Sequence, residues 1–196
     1  LYALNHQTGS VTWRIDVGPP IRSGPILEND LVYFGNASGE GICGNLAGDV
    51  IWRFKAKRNI ISMPLINQGL LYITSMDGMV YALDAKSGWS VWRFRMGKGS
   101  VSSPCVKENS LFFGSADGNI YCVDASNGKE FWRYEVHEQV CGSPMYDEGL
   151  IYCGAADGKM YSLEKKTGQL NWIFTTQGPI TGRPWISEDK LFFGPA

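Results

Sequence analysis

The sequence predicts an all-β fold, a β-propeller built from copies of one four-stranded sheet. Three observations carry that prediction. Trp13, Trp52, Trp92, Trp132 and Trp172 follow one another at intervals of 39, 40, 40 and 40 residues. A period in that range marks a repeat architecture. A second set keeps the same beat. Pro25, Pro64, Pro104, Pro144 and Pro184 each follow a tryptophan by twelve residues, and Gly35, Gly114, Gly154 and Gly194 each follow a proline by ten, with Thr74 standing in the second copy. Finally, no window holds a sustained apolar pattern of helical period, so no helix is expected.

The unit from Val101 to Val136 shows each element in order. Strand A surrounds Pro104 and Cys105. Strand B is Leu111-Phe-Phe-Gly114, strand C runs from Asn119 to Asp124, and strand D contains Phe131-Trp132-Arg133-Tyr134. Each run is short, rich in aromatic and β-branched residues, and bounded by Gly, Asn, Asp or Ser, which is the chemistry of strands and turns. Asp117-Gly118 between B and C, repeated as Asp77-Gly78 and Asp157-Gly158, predicts a tight type I′ hairpin. Four-stranded units of about 40 residues arranged radially make propellers of about four to eight blades. One blade cannot bury both faces alone.

The segment Ala82-Leu-Asp84-Ala-Lys-Ser87-Gly88-Trp-Ser-Val-Trp92 resembles the tryptophan-docking motif of PQQ-like repeats. Ala3 to Trp13 matches well. Cys122 to Trp132 has Cys for Ala and Asn127 for Thr, Ser162 to Trp172 has Glu164 at the Asp position, and Cys43 to Trp52 is one residue short. The resemblance spans the whole chain. Such repeats occur in quinoprotein dehydrogenases and in the outer-membrane assembly lipoprotein BamB, so it is specific for fold and weak for activity. The motif also has a direct physical reading. The glycine permits the C–D turn, the small residue admits a neighbouring sheet, and the indole packs between sheets. The five tryptophans are therefore expected to staple blades together.

Residues 1–196 are read as a single domain of five repeats. It begins in a C strand, at Leu1 to Asn5, and ends in a B strand, at Leu191 to Gly194. Two arrangements fit. In one, strands A and B from the C-terminus join C and D from the N-terminus to complete a five-bladed ring. In the other, the five repeats are an arc of a seven- or eight-bladed propeller, the size usual in the family it resembles, with further blades or a fused domain outside this chain.

A net charge of −1 argues against a general nucleic-acid or membrane-surface binder. No apolar run reaches transmembrane length, so no direct membrane insertion is expected. The chain starts at Leu1 inside a strand, so a targeting segment can lie outside it. The five cysteines, Cys43, Cys105, Cys122, Cys141 and Cys153, include no C-x-x-C pair and read as buried free thiols. That favours a cytoplasmic location. Export is the alternative implied by the resemblance.

In a propeller the A strands line the channel, the D–A and B–C loops share one face, and the A–B and C–D loops share the other. Residues three and one before each repeat proline are expected to point to one side. They place Arg22, Ser103, Ser143 and Arg183 at the channel. If the ring closes, Arg22 and Arg183 become neighbours, and two adjacent guanidinium groups call for an anion or acidic side chain between them. Ser103 and Ser143 would complete that anion or partner site. Trp89, on a C–D turn where other copies carry polar residues, is a candidate surface contact. Arg14, Arg53, Arg93 and Arg133, on the outermost strand, would discourage edge-to-edge pairing. The A–B turns are acidic, and the D–A loops include the basic Lys55-Ala-Lys57-Arg58 and another with Glu135 and Glu138. These charged loops read as solvated surface.

His6 and His137 lie in different repeats, and no cluster has metal-ligand spacing. No nucleophile elbow, phosphate loop or dinucleotide fingerprint occurs. No catalytic, cofactor-binding or metal residue is assigned, and no cofactor is expected. The leading functional expectation is a non-catalytic interaction module that binds a protein partner through its faces or channel. The resemblance also implies two alternatives. One is a fragment of a PQQ-dependent dehydrogenase, which would need calcium or a lanthanide, a catalytic aspartate and often an adjacent Cys-Cys pair that this chain lacks. The other is an accessory or sensor propeller fused to an enzyme.

Overall fold

The computed structural model describes all 196 residues and contains no helix. An N-terminal pair of strands, β1 (Tyr2–Leu4) and β2 (Val11–Arg14), precedes four complete blades. Blade I is β3 (Ile26–Glu28), β4 (Leu31–Gly35), β5 (Glu40–Asn45) and β6 (Val50–Lys55). Blade II is β7 (Leu65–Asn67), β8 (Leu70–Thr74), β9 (Met79–Asp84) and β10 (Ser90–Arg95). Blade III is β11 (Cys105–Lys107), β12 (Ser110–Gly114), β13 (Asn119–Asp124) and β14 (Glu130–Glu135). Blade IV is β15 (Met145–Asp147), β16 (Leu150–Gly154), β17 (Lys159–Glu164) and β18 (Leu170–Thr175). A C-terminal pair follows, β19 (Trp185–Ser187) and β20 (Lys190–Phe192). Every blade is an antiparallel meander in chain order.

Strand D carries a bulge at the same place in each blade. Ile51, Val91 and Phe131 have no partner on strand C, whereas Trp52, Trp92 and Trp132 face Cys43, Ala82 and Cys122. The extra residue turns outward, so two consecutive apolar residues fit without reversing the tryptophan. The small residue opposite each indole leaves room for the ring.

Turn chemistry differs from the expectation. At Asp77-Gly78, Asp117-Gly118 and Asp157-Gly158 only the glycines have positive φ. The Gly118 N–H donates to the Ser115 carbonyl at 3.2 Å, so the B–C connection is a three-residue loop closed by a left-handed glycine rather than a type I′ turn. Paired positive φ values occur instead at the A–B hairpins, at Asn29-Asp30, Gln68-Gly69 and Glu148-Gly149. The aspartates serve as hydrogen-bond acceptors within their loops, which holds them in the ordinary right-handed region.

The core is a series of layers between facing sheets. One layer joins Tyr72, Val80 and Trp92 of blade II to Leu111, Phe113 and Tyr121 of blade III. The next joins Phe112, Cys122 and Trp132 of blade III to Ile151, Cys153 and Leu163 of blade IV. The tryptophans of blades I to III dock forward. The Nε1–H of Trp52, Trp92 and Trp132 donates to the carbonyl of Ala85, Ala125 and Lys165 at 3.1, 3.0 and 2.9 Å. The indole lies flat against the glycine of that same turn. A Cβ on Gly128 would stand 2.6 Å from the Trp92 ring.

A second close approach explains the other repeated glycine. A Cβ on Gly114 would meet Val140 Cγ1 at 2.4 Å, and one on Gly35 would meet Ile60 Cγ2 at 2.2 Å. Thr74 departs from this pattern because the residue at the facing position, marked by its N–H bond to Ser75 O, is Ser100. The larger residue in one blade is matched by a smaller one in the next.

The blade shared between the termini is not formed. β1–β2 and β19–β20 are separate two-stranded sheets. No strand of the N-terminal pair is hydrogen-bonded to a strand of the C-terminal pair. All five cysteines are free, and Cys141 alone is not fully buried.

Candidate binding faces

Cross-blade contacts confirm how the loops divide between two faces. The Lys57 N–H, in the loop leaving blade I, donates to Asp77 Oδ2 in the B–C turn of blade II at 2.9 Å. Gly97 N–H does the same to Asp117 Oδ2 at 2.7 Å. On the other face, Lys165 in a C–D turn pairs with Glu108 in the A–B turn of the preceding blade.

The turn carboxylates are engaged internally. Tyr81, Tyr121 and Tyr161 donate their hydroxyls to Asp77, Asp117 and Asp157 at 2.8, 2.8 and 2.5 Å. Burial first, then the hydrogen bond to the carboxylate, raises each tyrosine pKa above its ordinary value. Burial opposes charge on Asp117, but donors from Tyr121, Asn119 and Gly97 outweigh it and hold its pKa below the usual carboxylate range. Asp84 and Asp124 are lowered as well, chiefly by the hydroxyls of Ser87 and Ser126. Burial pushes the Cys43 and Cys122 thiols up to about 11 and about 12. No buried side-chain polar atom lacks a partner.

The residues proposed for the channel are not brought together as one anion site. Strand A starts after the repeat proline, so Arg22, Ser103, Ser143 and Arg183 lie in irregular leaders rather than on strands. The Ser103 hydroxyl accepts the Met63 N–H at 2.9 Å, and the Ser143 hydroxyl accepts the Ser103 N–H at 2.9 Å. These serines stitch one leader to the next. Arg22 and Arg183 are exposed, in the first and the last leader, and the sheets that would make them neighbours are unpaired. Arg183 Nη2 lies 3.5 Å from Met145 Sδ.

Trp89 is 78% exposed on its turn. Trp185 is 67% exposed, and Phe174 and Phe192 are also open to solvent. Trp185, Phe174 and Phe192 are not among the residues that the repeat pattern singles out. The signals were there: Trp185 follows the repeat proline where other copies have smaller side chains, and Ile173 replaces the arginine after the tryptophan. Of the strand-D arginines, Arg53 pairs with Glu40 at 3.4 Å and Arg133 with Glu130 at 2.8 Å, and Arg14 pairs with Asp16. Arg93 has no such partner.

The family model described as outer membrane protein assembly factor BamB matches residues 1–104 and 76–194. The chain belongs to this family of PQQ-like repeats. It is 27% identical over 85 residues to the outer membrane protein assembly factor BamB of Burkholderia pseudomallei, a match covering 43% of this chain and 22% of that protein. Among solved structures, BamB of Moraxella catarrhalis superposes with a TM-score of 0.81 at 20% identity, over 93% of this chain and 58% of that one. The quinohemoprotein alcohol dehydrogenase of Comamonas testosteroni gives a TM-score of 0.72 at 15% identity, over 85% of this chain and 37% of that one. Both likenesses speak to the fold. The chain thus spans little more than half the length of the BamB structure it resembles. No helix is long and apolar enough to cross a membrane.

A quinone with calcium needs carboxylate and amide oxygens that converge on the ion. No three histidine, cysteine or acidic residues are grouped to hold a metal, and Asp77, Asp117 and Asp157 are spent on tyrosines and backbone amides.

Proposed function

We propose that this chain is a non-catalytic interaction propeller that holds a protein partner against its loop faces. The observation that supports this reading most is the fate of its polar groups. Serines and aspartates at equivalent positions are bound to backbone or to neighbouring tyrosines, blade after blade. What remains free lies on the outside: exposed Trp89 and unpaired cations on the opposite face. The name of the matched relatives, an assembly factor, agrees with a role in holding other proteins.

Photo-crosslinking tests this. A photoreactive residue at position 89 or 57, introduced in the source cell, is expected to yield discrete adducts with another polypeptide. The same residue at position 131, on the outward bulge of strand D and away from both loop faces, serves as a control for random capture. Adducts no more discrete than the control's would sink the reading. A second reading, part of a quinoprotein, is favoured by the likeness to the alcohol dehydrogenase. Calcium-dependent, saturable quenching of tryptophan fluorescence by pyrroloquinoline quinone would support it instead.

A further inference from the structure

The junction between blades I and II gathers more positive charge than the corresponding place in the next blade. Two adjoining concavities, of about 500 and 560 Å³, open on the D–A face there and share Lys57, Asp77 and Arg95 as lining. Tyr81 and Met79 form the floor of the first, with Arg93 on its wall, while Arg58 and Lys98 flank the second. Arg93 and Arg95 stand two residues apart on β10, opposite Tyr81 and Met79, so both point to the same side. The groove thus carries five cations and one carboxylate, in a chain whose net charge is −1.

None of these five cations has a protein counter-ion. Asp77 does not supply one, because its oxygens accept from Tyr81 Oη, Lys57 N and Met79 N. The contrast with the next blade is direct. There the counterpart of Arg93 is Arg133, paired with Glu130 and lying over the Tyr121 ring, and the counterpart of Arg95 is Glu135. Like charges gathered in a concavity repel one another unless an anion sits among them. Guanidinium forks match carboxylates in geometry, with two parallel hydrogen bonds each.

The geometry points to a binding groove for a short acidic peptide segment of a partner protein, with Arg93 and Arg95 as its carboxylate clamps and Lys57, Arg58 and Lys98 as flanking charge. This deepens the interaction reading above and rests on it. The cations are strung along two concavities rather than converged on one point, which suits successive side chains of a peptide better than a single phosphate. A long nucleic acid is disfavoured because the following D–A loop carries Glu135 and Glu138 on the same face. The floor tyrosine is also buried rather than offered as a stacking platform.

Fluorescence anisotropy with a labelled hexaglutamate peptide tests the groove, with hexaglutamine and a six-phosphate oligothymidylate as comparison probes. Hexaglutamate is expected to bind with an affinity that falls as salt is added, and hexaglutamine is not. Arg93→Gln with Arg95→Gln is expected to weaken binding about tenfold or more. Lys129→Gln with Lys166→Gln removes the same charge from the other face and is expected to change it less than twofold. Equal losses in the two double variants, no hexaglutamate binding, or tighter binding of the oligothymidylate would each overturn the proposal. Crosslinking at position 57 separates the two readings. Partner adducts that persist in Arg93→Gln/Arg95→Gln fail the groove alone, whereas peptide binding without any partner adduct fails the interaction reading and leaves the groove standing.

Discussion

The same docking motif behaves differently in the middle of the chain and at its ends. Trp92 and Trp132 are 9% and 8% exposed, each donating a hydrogen bond to the following blade. Trp172 stands at the equivalent position of blade IV but is 36% exposed, because the C-terminal pair brings only strands A and B and no C–D turn to receive it. The mirror case is Gly9. Its counterparts Gly88, Gly128 and Gly168 press on an indole, yet nothing lies within 4 Å of a Cβ at Gly9. The comparison teaches that a tryptophan and its turn glycine are two halves of one contact, contributed by different blades. The motif within one repeat supplies the donor for the next blade and the acceptor for the previous one.

The largest effect should come from breaking an interior contact. Trp132→Ala removes a buried indole and its hydrogen bond, and about 3–5 kcal/mol of stability is expected to be lost. Trp172→Ala should cost about 1–2 kcal/mol, since much of its ring already faces water. Urea titration followed by circular dichroism gives both values. Equal losses would mean that Trp172 is covered in solution, and the difference between interior and end would disappear.

The glycine half of the contact should rank second. Gly128→Ala combines a positive φ of 75° with a Cβ 2.6 Å from the Trp92 ring, for an expected cost of about 2–4 kcal/mol. Gly9→Ala has the same backbone requirement, at φ 70°, and no clash, so only about 1 kcal/mol is expected. The second close approach sharpens the point. Gly114→Ala drives a methyl into Val140, and Val140→Ser should recover part of the loss, because the Thr74 and Ser100 pair shows that this junction accepts a larger residue facing a smaller one. A double-mutant cycle with no coupling would refute that account.

Much of this was legible in the sequence, and what was not has identifiable causes. The tryptophan spacing gave the repeat and the strand order because each repeat is one hairpin pair plus a fixed contact to its neighbour. The division of loops between two faces also followed from strand order alone, and the Lys57–Asp77 and Lys165–Glu108 contacts bear it out. The sequence leaves the turn at Asp117-Gly118 open, because an Asp-Gly pair suits both a type I′ turn and a longer loop with a left-handed glycine. Arg22 and Arg183 depended on ring closure, a property of accumulated rotation over five blades that no local pattern encodes. The groove was half visible. Lys57 and Arg58 read as a basic loop, but their meeting with Arg93 and Arg95 belongs to the packing of blade I on blade II.

The smallest effect is a pH dependence, and it again separates interior from end. Asp117 is held below the ordinary carboxylate pKa by donors that include Gly97 of the preceding loop, so its folded value lies under its unfolded value. A carboxylate of that kind contributes stability above the unfolded pKa of about 3.9 and loses it as pH falls through the folded value. Asp16, in the N-terminal segment, is also lowered, first by the Gly18 N–H and then by Arg14, but both of these are local to its own exposed turn. Asp117→Asn is expected to cost about 1–2 kcal/mol at neutral pH and to flatten the decline in stability below about pH 4. Asp16→Asn should flatten the acid limb less, because its partners lie on an exposed turn where solvent screens them. Urea midpoints measured from pH 3 to pH 7 would show both. An acid limb that Asp117→Asn does not flatten would mean that the carboxylate ties the B–C turn to the neighbouring blade no more tightly than an exposed turn residue ties its own loop.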